Sequence, residues 1–202
     1  MTFSFFIKRI FDIVGALAGL IILSPLFLVV AILVKIDSPG DIFFRQERIG
    51  KDGQPFYPVK FRTMIKGAEH IGLGHTVSSS DERITRIGNF LRKWGIDEFP
   101  QLVNVLKGEM SLVGPRPTLR YQVEKYTDAQ RKRLAVKPGL VGWALIHGRN
   151  LLSWDERIAY DIWYVDHWSL WLDIKIIFLS CYLVLIKQEG VYGKNGVNDS
   201  FT

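Results

Sequence analysis

The chain carries one cysteine, Cys181, so no intramolecular disulfide can form, and a reducing compartment fits. Histidines are also few, and His70, His75, His147 and His167 fall at no metal-ligand spacing. Gly50, Gly53, Gly72 and Gly74 do not make a phosphate-loop pattern. There is no Ser-His-Asp or Cys-His arrangement, no internal repeat and no low-complexity tract. Disulfide scaffolds, zinc modules, phosphate-loop enzymes and solenoids are thereby set aside, and any chemistry must rest on other residues.

Negative charge is in deficit: Lys and Arg number 26 against 20 Asp and Glu, a net charge of +6. That balance points to anionic partners, whether nucleic acid, lipid head groups or phosphorylated substrates. The 202 residues suffice for one domain with its own core. Mean hydropathy is +0.13 and aromatics make up 13%, more apolar than expected of a soluble basic protein.

Charge is wholly absent from Ile13 to Val34, "IVGALAGLIILSPLFLVVAILV", which reads as a membrane helix. The run is too long for the core of a signal peptide, and no A-x-A-like site follows it. Pro25 has no N–H, so the carbonyl of Ile21 loses its helical partner, and Ser24 can bond back one turn. A break at Ser24-Pro25 is therefore expected. One topology is a kinked span; the other is a re-entrant helix that enters and leaves by one face. Lys8 and Arg9 precede the run, and Lys35, Arg45, Arg48, Lys51, Lys60 and Arg62 follow it. Positive charge on both flanks gives a single span no orientation. Each half-helix would rise only about 15 Å, half of the hydrocarbon core.

Beyond Ser38-Pro39-Gly40, two strands are expected around a turn at Lys51-Asp52-Gly53, with Pro55 and Pro58 marking an edge. Lys66 to Ser80 reads as a loop. Asp81 is expected to cap a helix whose Ile84, Ile87, Leu91 and Trp94 share a face, and Gly95 to end it. Asp97 would cap the next helix, closed by Gly108. Gln122 to Val136 reads as a basic helix, and "VKPGLVGW" as a turn and a short strand. Ser153 stands at capping-box spacing from Glu156. Trp163, Tyr164, Trp168, Trp171 and the run Ile174 to Ile186 suggest helices at a membrane surface, or aromatics filling a core.

"GIDEFPQ" holds the adjacent acids Asp97 and Glu98. A helix start favours an ionised Asp97 and attracts a phosphate. Arg92 and Arg116 stand nearby in sequence. An ionised carboxylate beside phosphate-binding arginines is arranged as a nucleophile toward phosphorus, and its neighbour can hold Mg²⁺. A plain helix cap is the competing reading of the same residues.

The opening segment "KRIFDIVGALAGLIILSPLFLVVAILVKIDSPGDIFFRQERIGKDGQPFYPVKFRTM" resembles that of the bacterial sugar transferases, the monotopic phosphoglycosyl transferases. "DERITRIGNFLRKWGIDEFPQLVNVLKGEMSLVGPRP", "KPGLVGWALIHGRN" and "YDIWYVDHWSLWLDIKI" resemble that family's later blocks, in order. The resemblance implies transfer of a sugar-1-phosphate from a UDP-sugar, N-acetylated by expectation, to a polyprenol (undecaprenyl) phosphate, releasing UMP. This would begin assembly of a bacterial glycan or glycoconjugate. Asp97 would form a covalent phosphosugar intermediate, Glu98 would bind Mg²⁺, and Arg92, Arg116, Arg149 and Lys60 would contact phosphate. Leu145 and His147 depart from the family pattern, which suggests altered donor specificity.

The resulting expectation is an α/β (α+β) fold, mostly helical, with a small antiparallel sheet. Residues 1–36 would form the re-entrant helix broken at Ser24-Pro25, residues 37–190 a catalytic domain with interfacial helices, and residues 191–202 a tail. The site implied is the cytoplasmic face of the bacterial cytoplasmic membrane. Expected partners are the donor, the acceptor, membrane lipids, downstream glycosyltransferases and a second copy of the chain, with no nucleic acid. A non-catalytic scaffold and a membrane-anchored nucleic-acid binder are the rival classes.

Overall fold

A computed structural model describes residues 2–71, 77–78, 80–187 and 191. His75, Gly72, Gly74 and most of the expected tail lie outside them. The fold is mostly helical with small strand pairs. Helix α1 runs from Thr2–Asp37 without interruption, in place of the two half-helices expected around Ser24-Pro25. The bond foreseen at the proline is present: Ser24 Oγ donates to the Ile21 carbonyl at 2.8 Å, the oxygen that Pro25 leaves without an N–H, and the chain stays helical through Pro25.

Both ends of α1 are tied to the rest of the chain. Near its start, Lys8 Nζ donates to the Val113 carbonyl (3.2 Å) and pairs with Asp173 (2.6 Å). Arg9 donates to the Val105 and Leu106 carbonyls at 2.7 and 2.8 Å. Buried Asp12 accepts from Ser111 Oγ and the Leu112 N–H at 2.9 and 3.0 Å. Gly15 and Gly19 sit where a Cβ would fall 2.6 Å from a Leu112 methyl and 2.9 Å from a Leu102 methyl, so any larger residue would make those side chains shift. At the far end, Arg62 donates to the carbonyls of Val34, Ser38 and Pro39. Asp37 accepts from the Ile87 N–H at 2.9 Å. Ala16, Val30 and Val34 are buried in the core, while Phe6, Val14, Ile21, Ile22 and Leu28 are exposed. The helix thus has one face in the fold and an apolar face outside it.

The strands are short. β1 (Phe43–Arg45) pairs antiparallel with β4 (Val59–Phe61), and β2 (Arg48–Ile49) with β3 (Pro55–Phe56) around the expected turn. β5 (Ser111–Val113) and β6 (Gly139–Val141) are parallel, so the strands are not all antiparallel as expected.

Helix α2 (Arg86–Trp94) is capped by Thr85, whose side chain accepts from the Gly88 N–H. Asp81 instead pairs with Arg83 at 2.7 Å. Gly95 ends α2 in the left-handed region, as anticipated. A 3-10 turn, Ile96–Gln101, leads into α3 (Leu102–Lys107), which Gly108 closes with φ of 84°.

The basic segment expected as one helix divides into α4 (Arg120–Glu124), α5 (Asp128–Arg131) and a 3-10 turn. Thr127 starts α5 with a reciprocal cap to Gln130, and that cap separates the two helices. After α6 (Trp143–Ile146) come α7 (Trp154–His167), with the expected Ser153–Glu156 capping box, and α8 (Leu170–Tyr182). The aromatics divide by role. Tyr164 is buried and donates to Asp173 at 2.7 Å, whereas Trp171, Phe178 and Tyr182 are exposed.

Candidate active site

A cleft of about 970 Å³ opens between β4, the 3-10 turn, the segment after β5 and the Arg149 turn. It collects Lys60, Arg92, Asp97, Glu98, Arg116 and Arg149, all the residues singled out for phosphate chemistry. Each is delivered by a definite local cause. Lys60 stands on β4, opposite Phe44 in the β1–β4 register. Arg92 lies in the last turn of α2 and donates to Thr63 Oγ1 at 3.2 Å. Gly88 lets α2 approach that strand end, since a Cβ there would fall 2.0 Å from the Thr63 carbonyl oxygen.

Arg116 follows Gly114-Pro115, where Gly114 and Gly139 pass too closely for a side chain. Arg133 is buried and fixes this segment. It donates to the Arg116 carbonyl at 2.9 Å while pairing with buried Asp161 and bonding Tyr126. Arg149 holds φ of 54° after Gly148, a left-handed conformation unusual for a non-glycine residue.

Glu98 is fully engaged with cations. Its Oε1 accepts from Lys60 at 2.8 Å and from Arg116 at 2.7 Å, and its Oε2 accepts from Arg116 at 3.2 Å. Burial opposes ionisation, but Arg116 and Lys60 outweigh it and hold Glu98 well below the usual glutamate range. Asp97 differs. It caps no helix, because Gly95 is the N-terminal flank of the turn, and it accepts no hydrogen bond from a described residue. Burial, reinforced by Glu98, pushes its carboxyl above the usual aspartate range, although Lys60, Arg92 and Arg116 pull the other way. Asp97 thus stands in the first turn of the 3-10 helix as expected, but as a half-buried carboxylate to which no described residue donates and whose ionised form burial disfavours.

Among the described residues, no group of three or more His, Cys, Asp or Glu is set to hold a metal by itself. Mg²⁺ needs only one or two carboxylates when phosphates supply further oxygens. Glu98 Oε2 accepts a single bond and Asp97 none, so open oxygen positions remain for such an ion.

Leu145 lines the cleft, but His147 does not; it is exposed, stacked on Tyr160 and tilted against Trp143. Sequence reasoning missed Arg48, taken there only as a flanking charge, and the Arg133–Asp161 pair. Nothing in the spacing of those residues announces the cleft they share.

Desolvated, unpaired Asp97 among cations, beside a helix with an apolar outer face, is an arrangement suited to phosphoryl chemistry on a lipid-linked substrate. Comparison with known proteins agrees with that class. The chain matches the bacterial sugar transferase family over residues 3–187 and belongs to it. It is 45% identical over 193 residues to the uncharacterized sugar transferase EpsL of Bacillus subtilis, covering 95% of this chain and 93% of that protein. It is 42% identical over 184 residues to the UDP-glucose:undecaprenyl-phosphate glucose-1-phosphate transferase of Escherichia coli, covering 87% and 39%. With the UDP-N-acetylgalactosamine-undecaprenyl-phosphate N-acetylgalactosaminephosphotransferase of Aeromonas hydrophila it shares 41% over 186 residues, covering 89% and 44%. The chain therefore spans nearly all of the first relative and less than half of the other two.

Proposed function

We propose that this protein is a phosphoglycosyl transferase that moves a sugar-1-phosphate from a UDP-sugar to undecaprenyl or another polyprenol phosphate. The observation that carries the reading is the unpartnered carboxylate of Asp97 in a cleft whose neighbouring charges are mostly cations. In the first step an Asp97 oxygen attacks the sugar-side phosphorus of the donor. A carboxylate–phosphorus bond forms, the bond to the bridging oxygen breaks, and that oxygen leaves with its electron pair as UMP. In the second step a phosphate oxygen of the polyprenol phosphate attacks the same phosphorus. The bond to Asp97 breaks, and its carboxylate returns.

Half-burial in the cleft strengthens the charge contacts around Asp97. Arg92 and Arg149 offer guanidinium donors beside Asp97, and Lys60 with Arg116 keeps Glu98 ionised. Bound Mg²⁺, held by Glu98 and Asp97 with donor phosphates, would supply charge neutralisation at the reacting phosphoryl group. The apolar acceptor tail suits α1. With both its ends tied to one domain and its outer face apolar, α1 is read as monotopic, lying in the cytoplasmic leaflet of the bacterial cytoplasmic membrane. The exposed Trp171, Phe178 and Tyr182 of α8 suit the head-group zone.

The relatives' names include glucose and N-acetylgalactosamine donors. An N-acetylated UDP-sugar is our first expectation. The test is UMP release from a panel of UDP-sugars with Mg²⁺ and polyprenol phosphate. Folded protein that turns over none of them contradicts the reading.

A further inference from the structure

The cleft contains more guanidinium groups than Asp97 and Glu98 explain, and most of them already have fixed work. Of the cleft arginines that are not exposed, Arg62 donates to the carbonyls at the end of α1, and Arg133 pairs with Asp161. Arg157 donates to the carbonyls of Leu152 and Asn150. Arg92, Arg149 and Arg48 remain without a carboxylate partner. Arg92 is among the charges that act on Asp97, while Arg149 faces Arg116 and Glu98 ahead of Asp97. Arg48 faces Arg116 and Glu98 and is fixed on a different element from Arg92 and Arg149.

Arg48 is held rigidly. It sits on β2 opposite Phe56 of β3. The N–H of the next residue, Ile49, donates to the Thr118 carbonyl at 2.9 Å, fixing β2 to the segment that carries Arg116. Its guanidinium is half-buried, and its described hydrogen bond goes to a neutral amide, Gln46 Oε1, at 2.9 Å. Its charged neighbours are Arg116 and Glu98, with Tyr121 beside them, so it lies on the Glu98 side of the site. Burial and then Arg116 lower its proton affinity to about 10, the behaviour of a guanidinium short of counter-charge. A preorganised fork with open donors in such surroundings is a receptor for a phosphate.

We propose that Arg48 binds the phosphate that leaves, the nucleoside monophosphate part of the donor, while Arg92 attends the phosphorus attacked by Asp97. This deepens the transferase reading and rests on it. When the bridging oxygen departs with its electron pair, its phosphate gains negative charge, and the Arg48 fork supplies donors to that dianion. No proton or further reactant is required. In-line displacement brings the acceptor phosphate in where UMP left, so the Arg48 fork meets that phosphate in the second step.

The experiment uses the full chain in nanodiscs, with UMP titrated directly and as an inhibitor of turnover. Arg48→Gln is expected to weaken UMP binding by about ten- to a hundred-fold, the scale of a charge-assisted hydrogen bond. It should raise KM for the donor similarly, and KM for polyprenol phosphate with it, because the two phosphates take the same position in turn. Arg48→Lys, which keeps the charge but not the fork, should fall between wild type and Arg48→Gln. Melting curves of both variants check folding. An unchanged UMP constant in folded Arg48→Gln overturns the assignment, as does wild-type protein that binds no UMP. If UMP binds in an Arg48-dependent way but no sugar phosphate is transferred, this assignment stands and the transferase reading fails.

Discussion

Asp97 and Glu98 are adjacent in sequence and opposite in electrostatic state. Asp97 has its pKa raised by burial, so its ionised form opposes folding at neutral pH; Glu98 has its pKa lowered by Arg116 and Lys60, so its charge stabilises the fold. Asp97→Asn should therefore raise the melting temperature at pH 7, and Glu98→Gln should lower it. The Glu98 contribution is present above its unfolded pKa and fades as pH falls through the depressed folded value. A melting series across acidic pH reads both signs. Asp97→Asn should slow UMP release by at least about a thousand-fold, the usual scale for losing a nucleophile. Glu98→Gln should raise the Mg²⁺ concentration needed for half-maximal rate. The acid pair was legible in the sequence as chemistry or as a cap. Which of the two acids would be paired was not, because Lys60 and Arg116 reach Glu98 from 38 and 18 residues away.

Elements were legible where their ends are encoded locally. Gly95 and Gly108 close α2 and α3, and Ser153 with Glu156 opens α7, because each cap depends on residues within one turn. The Asp81 cap failed because Arg83 claims that carboxylate and Thr85 is better placed. At Ser24-Pro25 the foreseen hydroxyl bond forms, yet the chain stays one helix instead of dividing into two half-helices. The Arg133–Asp161 pair was invisible because it joins the turn after α5 to α7 and acts on a backbone carbonyl. Breaking it with Arg133→Met should cost about 3–5 kcal/mol, as for other buried pairs left with one charge. At 2–4 °C per kcal/mol, melting should drop by roughly 10 °C. Surviving folded enzyme should turn over more slowly, since Arg116 loses the donor that fixes its backbone. Thermal unfolding and UMP release read the two effects.

Across the whole molecule, α1 is both the apolar outer surface and part of the core. It is long and apolar enough to cross a membrane, with 11% of its apolar window buried, yet Ala16, Val30 and Val34 pack inside the fold. The sequence showed the apolar run and the basic flanks. It did not show that Lys8 and Arg9 bond to the chain rather than to lipid, because their partners Asp173, Val105 and Leu106 lie about a hundred residues or more away. Labels at the N-terminus and on the catalytic part should be accessible from the same side of sealed vesicles. Labels on opposite sides would overturn the monotopic reading.

The central claim, that Asp97 carries the sugar phosphate, is tested most directly by intact-protein and peptide mass spectrometry after incubation with Mg²⁺ and a UDP-sugar without acceptor. The account predicts one phosphosugar added per chain, on the peptide holding Asp97, with an equal amount of UMP released. Both should disappear in Asp97→Asn. A wild-type chain that turns over donor and acceptor together but takes up no mass and releases no UMP alone would contradict it.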